Sequence, residues 1–205
     1  MRKTIISDMD GTLVRGSMVL DHAVFLEQNG IIDTQGATFN WLNDMKNEKL
    51  IVDLAMAYQR AITGMSIEDI KISDFISTLS MEHLTNTANQ LKNSNTLLIT
   101  GSPSFLAEPF AKILEGIFNC SIKVEGSIYE IVNGKLTGKI TRPAFTGKEK
   151  IISENPHFKN SMLGLGDTLS DKAIFENCKR NMLVNPSMET IKGYMNTGIQ
   201  LEITD

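Results

Sequence analysis

Asp8 and Asp10 stand one residue apart in "DMDGT", directly after the short apolar run Lys3–Ser7. Carboxylates that close repel, and one has its pKa raised unless something positive sits between them. The pair therefore asks for a cation, a chemical role, or both. A carboxylate is already ionised at neutral pH and is a nucleophile that needs no separate base. Gly11 lets the chain leave the strand sharply enough to keep room beside it.

Three later stretches supply partners. "LLITGS" brings the Thr100 hydroxyl and the Gly101 and Ser102 backbone amides. "TGKEK" brings Lys148, a compact point charge suited to an anion, with Lys150 as a rival near the same helix start. "GLGDTLSD" brings Asp167 and Asp171 with Ser170 between them. His22, His83 and His157 match no metal-ligand spacing and read as structural or surface residues.

Something must hold these stretches together. Short buried-strand runs and helix patterns alternate at both ends of the chain, which predicts an α/β domain on a mainly parallel sheet. In such sheets the site lies at the carboxyl ends of the strands, where all four stretches would meet. "SPSFLAEPF" reads as a helix with Ser102 at the N-cap and Pro103 at N1. Asn133–Gly134 is a two-residue hairpin signal. Between about residues 17 and 93 the pattern is helical throughout, and "SIED" (Ser66–Asp69) fits a helix N-cap. The expected division is a core of residues 1–15 and 94–205, interrupted by a helical insertion of residues 16–93.

The chain of 205 residues is long enough for this, and its net charge of −4 offers no footprint for nucleic acid or an anionic membrane. No apolar run approaches the roughly 20 residues that span a bilayer, and the N-terminal run is too short for a signal peptide. Two scattered cysteines, Cys120 and Cys178, read as reduced thiols in the cytoplasm.

The four stretches, in this order, resemble the four motifs of the haloacid dehalogenase (HAD) superfamily of phosphohydrolases. The resemblance implies a Rossmann-like core with a small helical cap of the C1 type. It makes Asp8 the nucleophile that becomes an aspartyl-phosphate, and Asp10 the acid that protonates the leaving alcohol and then activates water. Thr100, Gly101, Ser102, Lys148 and Ser170 would bind the phosphate. Mg²⁺ would sit on Asp8, Asp167 and the Asp10 backbone carbonyl, with Asp171 supporting it directly or through water. A small phosphorylated metabolite is the implied substrate; the oligomeric state stays open. A phosphotransferase or mutase using the same intermediate is the alternative, and a non-catalytic phosphate-binding protein a more distant one.

The insertion and the hairpin resemble the HAD subfamily IB branch that contains phosphoserine phosphatases. That branch carries a glutamate nine residues after the nucleophile, where this chain has Ser17, and a cap arginine, where spacing from Gly64 puts Tyr58 rather than Arg60. The amino-acid recognition set is therefore expected to be absent. Arg15, Tyr58 and Arg60 are candidate specificity residues, as are Trp41 and Met56, for which cap core is the favoured alternative.

Overall fold

The computed structural model describes residues 2–44 and 48–204. Its strands are β1 (Lys3–Ser7), β2 (Ser94–Pro103), β3 (Ser121–Val132), β4 (Lys135–Arg142), β5 (Ser161–Gly166), β6 (Cys178–Val184) and β7 (Glu202–Thr204). They form one sheet in the order β4-β3-β2-β1-β5-β6-β7. Every pairing is parallel except the β3–β4 hairpin. Asn133 and Gly134 turn that hairpin with φ of 51° and 77°, the positive pair a tight two-residue turn requires.

β1 lies between β2 and β5, so the chain leaves it in one direction and returns on the other side. The crevice beyond the carboxyl end of such a strand is where open α/β sheets bind ligands, and Asp8 is the residue after β1. β1 and β2 are buried on both faces, which explains their near-continuous apolar runs. Ile5 and Leu98 pack on one face of the sheet; Ile6, Leu97 and Ile99 pack on the other.

The segment between β1 and β2 carries α1 (Met18–Gln28), α2 (Ala37–Asn43), α3 (Glu48–Ile62) and α4 (Ile72–Thr78), followed by short 3₁₀ turns. Its core is continuous with one face of the sheet: Leu54, Tyr58 and Phe75 belong to the same cluster as Leu98, Leu106 and Phe110. The C-terminal end of α3 is tied to β4. Gly64 N–H donates to Leu136 O at 2.7 Å, Leu136 N–H to Met65 O at 2.9 Å, and Gln59 Nε2 to Gly138 O. The hairpin thus fixes the position of α3.

The C-terminal half supplies α5 (Ser104–Phe118), α6 (Lys148–Glu154), α7 (Lys172–Glu176) and α8 (Met188–Tyr194). Three local expectations are corrected. α5 starts at Ser104, not Pro103, because β2 continues through Pro103 to pair with Ser127. The "SIED" residues do exchange capping bonds, Ser66 N–H to Asp69 Oδ2 at 3.1 Å and Asp69 N–H to Ser66 Oγ at 3.2 Å. They close a turn rather than a helix, since Lys71 adopts φ of 50° and the helix begins at Ile72. The short edge strand β7 was not anticipated: its three residues carry too little pattern to read. Among the described residues no helix is long and apolar enough to cross a membrane.

Candidate active site

The four stretches converge at the carboxyl end of β1. Lys148, on the first turn of α6, is 3% exposed and bridges two carboxylates: its Nζ lies 2.6 Å from Asp8 Oδ1 and 2.5 Å from Asp171 Oδ1. Lys150 points away, with its side chain 80% exposed. Of the two lysines, Lys148 is the one placed among the carboxylates. Asp8 lines the cavity above it, and its Oδ2 takes no hydrogen bond among the described residues.

Asp10 is held by three donors. Met18 N–H, at the start of α1, reaches Oδ1 at 2.7 Å; the hydroxyls of Thr100 and Ser102 reach Oδ2 at 2.8 Å each. This departs from the expectation that Thr100 and the Ser102 amide face a phosphate. The buried Thr100 hydroxyl spends its proton on Asp10 and accepts the Ser102 N–H at 3.0 Å. Gly101 and the Ser102 side chain do line the cavity.

Asp171 is fully buried with both oxygens engaged. Oδ1 meets Lys148, and Oδ2 accepts the Asp167 and Thr168 backbone amides at 2.9 Å each. Its geometry anchors Lys148 and the loop after β5, and leaves no oxygen free for direct coordination. Asp167 faces the cavity and accepts a 3.3 Å bond from Thr12 Oγ1. Ser170 also lines it, its Oγ 2.8 Å from Thr168 Oγ1. Gly11 sits against Asp167 with φ of +77°, and a Cβ there would run into the Asp167 carboxylate.

Four carboxylates in this cluster share one ammonium. Burial pushes Asp8 well above the usual carboxylate range, against the pull of Lys148 and with Asp171, Asp167 and Asp10 adding repulsion. Burial also raises Asp10, opposed by its three donors. Asp167 is raised to about 7, by burial first and Asp171 second. Burial alone would lower Lys148, but Asp8 and Asp171 outweigh it and hold it above the usual lysine range. The cluster is short of positive charge.

The Asp8, Asp10 and Asp167 carboxylates on the floor of the cavity offer oxygen ligands, a set that suits a hard divalent cation. Among the described residues no group of three or more His, Cys, Asp or Glu side chains is arranged to hold an ion alone. A hard cation completed by backbone, water and phosphate oxygens needs only one or two carboxylates.

Above this floor lies a cavity of about 410 Å³. α3 supplies one wall through Ile51, Val52, Ala55, Met56 and Gln59; Tyr129, Ile140 and Phe145 form another. From the sequence, Met56 is the one residue of this α3 face named as a specificity candidate, with cap core as its favoured alternative; Ile51, Val52, Ala55 and Gln59 were missed. Positions 52, 55, 56 and 59 share helical spacing, a signal that was available.

Arg15, Tyr58 and Arg60, also proposed for specificity, are not on the cavity. Tyr58 is fully buried on the opposite stripe of α3, its hydroxyl 2.9 Å from His22 Nδ1. Arg15 donates to Leu84 O at 3.0 Å and lies in a different hollow beside Asp21 and His83. Arg60 faces Asp33 and Gln35. Trp41 is core, as expected.

A family model described as haloacid dehalogenase-like hydrolase matches residues 5–176. No curated protein matches by sequence. Among solved structures, a protein of unknown function from Bordetella pertussis Tohama I superposes with a TM-score of 0.73 at 17% identity, covering 98% of each chain. A phosphoserine phosphatase in apo form gives 0.61 at 13% identity, over 100% of this chain and 94% of that one. Cytosolic 5'-nucleotidase IIIB bound to cytidine gives 0.57 at 13%, over 98% and 80%. At these identities the superpositions speak for the fold alone. The sheet order, the convergent carboxylates and a family match over most of its length make this chain a member of the haloacid dehalogenase-like hydrolases.

Proposed function

We propose that the protein is a Mg²⁺-dependent phosphatase that works through an aspartyl-phosphate on Asp8. The observation that carries this is the floor of the cavity: Asp8 lines it with one oxygen free of hydrogen bonds among the described residues, while Lys148 holds the other at 2.6 Å. The names of the structural neighbours, a phosphoserine phosphatase and a nucleotidase, support phosphate ester chemistry.

Asp8 Oδ2 attacks phosphorus, the ester P–O bond breaks, and the departing alkoxide takes a proton from Asp10. Water then attacks the phosphorus and returns a proton to Asp10. The Asp8–phosphorus bond breaks, and inorganic phosphate leaves. The net reaction consumes one water per ester. Burial supports the proton-carrying role of Asp10, because it raises its pKa toward working pH. The Thr100 and Ser102 hydroxyls aim its carboxyl group. Asp8, Asp167 and the Asp10 backbone carbonyl would hold Mg²⁺, which when bound offsets the negative charge of nucleophile and phosphate. Asp171 positions Lys148 and the Asp167 loop.

Residues 16–93 would act as a cap over a core of residues 1–15 and 94–205, shielding the reacting phosphate from bulk water. The free thiols of Cys120 and Cys178 are compatible with the cytoplasm, and burial raises Cys178 to about 12, where the thiolate is scarce.

The direct test is phosphate release from an aryl phosphate with and without Mg²⁺; no release with Mg²⁺ would sink the reading. Asp10→Asn keeps the backbone carbonyl and loses the proton. Turnover should fall by roughly 10²–10⁴ with Mg²⁺ affinity little changed. A large loss of affinity with the rate preserved at saturating metal would reverse that assignment. Gly11→Ala should cost about 1–2 kcal/mol in backbone strain alone and, by displacing Asp167, weaken Mg²⁺ binding in a calorimetric titration. Unchanged affinity would remove Asp167 from the metal site.

A further inference from the structure

We propose that the substrates are phosphate monoesters of uncharged, predominantly apolar alcohols. The inference rests on the phosphatase reading and concerns the part of the ester that is not phosphate.

Among the described residues, the ionisable side chains lining the cavity are Asp8, Asp10 and Asp167, all on its floor where the phosphoryl group would sit. The other described lining residues are neutral, and most of them are apolar. Val52 and Met56 are 54% and 45% exposed, and Phe145 is 59% exposed, although each is a large apolar side chain. All three line this cavity, and Met56 also borders the hollow that holds Arg60. Apolar side chains left open around a cleft with a polar floor are the usual lining of a site for an apolar ligand. Covering them gains about 25 cal/mol per Å² of apolar surface.

A charged alcohol finds no partner among the described residues of the walls. Lys148 is 3% exposed and committed to Asp8 and Asp171. Arg15 and Arg60 lie in other hollows. Among the described residues, a substrate carboxylate or second phosphate would lie near three aspartates with no cation on the walls to meet it. A substrate ammonium reaching past the floor would lie against Ile51, Val52, Ala55, Met56 and Gln59 of α3, none of them acidic. An ion moved from water into such surroundings without a partner costs several kcal/mol, and each 1.4 kcal/mol is about tenfold in rate or affinity.

The walls allow a little polarity. Gln59 has its Nε2 on Gly138 O, so its carbonyl oxygen remains as an acceptor, and Ser17 and Tyr129 bring hydroxyls to the lining. That suffices for a hydroxyl or a carbonyl on an otherwise apolar body. It does not suffice for an amino acid: Ser17 stands on the cavity without a charge, and Tyr58 is not on it.

The test uses the full chain with Mg²⁺ and compares kcat/KM for isopentyl phosphate, phenethyl phosphate, O-phosphoethanolamine and L-phosphoserine, with acetyl phosphate as a small reference donor. The apolar esters should exceed both charged esters by tenfold or more. Val52→Glu and Met56→Glu, measured separately, should each lower kcat/KM for the apolar esters and narrow their lead over O-phosphoethanolamine. Charged esters equal to or better than the apolar ones would overturn the substrate class while the phosphatase reading stands. No phosphate released from any ester or from acetyl phosphate would overturn both.

Discussion

Replacing Asp8 with asparagine is expected to cut phosphate release by about 10⁴-fold or more, equivalent to roughly 5.5 kcal/mol of transition-state stabilisation. The fold should survive the change, because asparagine keeps the shape of the side chain and can still accept from Lys148. Stability carries a second expectation. Folding raises the Asp8 pKa well above its ordinary value, through burial first and then through its acidic neighbours. A carboxylate shifted that way makes the protein lose stability as pH rises from its unfolded toward its folded pKa. The neutral amide has no such dependence. In the presence of a chelator, above neutral pH, Asp8→Asn should therefore melt no lower than the parent protein. An inactive variant that is equally or more stable separates a chemical role from a structural one. A variant that unfolds would place Asp8 in the structural frame, and one that keeps its activity would end the nucleophile assignment.

Lys148→Met should give the largest loss of stability of any single change at the site. The methionine fills similar space but leaves Asp8 and Asp171 buried without their shared cation, 2.6 and 2.5 Å from where it was. Removing one partner from a buried ion pair costs about 3–5 kcal/mol, which for a chain of this size lowers Tm by very roughly 6–20 °C. Turnover should be lost as well, since Asp8 loses the contact that orients it. The pH dependence follows from the raised pKa values of Asp8 and Asp167, the latter about 7. Both carboxylates cost stability as pH climbs through that range, and without Lys148 the cost for Asp8 grows. The variant should therefore recover stability near about pH 5 relative to about pH 8, more steeply than the parent. The double variant with Asp8→Asn should lose less than the sum of the two single losses, because the amide no longer leaves a charge behind. A mild, pH-independent loss would mean that Lys148 contributes packing alone.

How legible the site was depended on distance along the chain. Asp8, Asp10 and Asp167 could be read because each follows a short buried strand, and the topology of such a sheet brings strand ends together. Lys148 was preferred over its rival Lys150 from the sequence; which of the two is buried depends on the rotation of α6, which two nearby lysines do not reveal. Thr100 and Ser102 were placed at the site but with the wrong role: their hydroxyls bond to Asp10, a side-chain direction that residue type and spacing do not reveal. The α3 wall failed for a different reason. That helix has two apolar stripes, one with Leu54, Tyr58 and Ile62, fully buried, and one with Val52, Ala55 and Met56 on the cavity. Periodicity identifies both and cannot say which one meets the core. Choosing Tyr58 as a substrate contact took the wrong stripe.

Trapping the covalent intermediate tests the central claim most directly. Borohydride added during steady-state turnover with Mg²⁺ reduces an acyl phosphate at an aspartate to the homoserine side chain, which peptide mass spectrometry locates. The prediction is conversion at Asp8, dependent on substrate and absent in Asp8→Asn. Phosphate release with Asp8 unmodified and another residue reduced in its place would contradict the account.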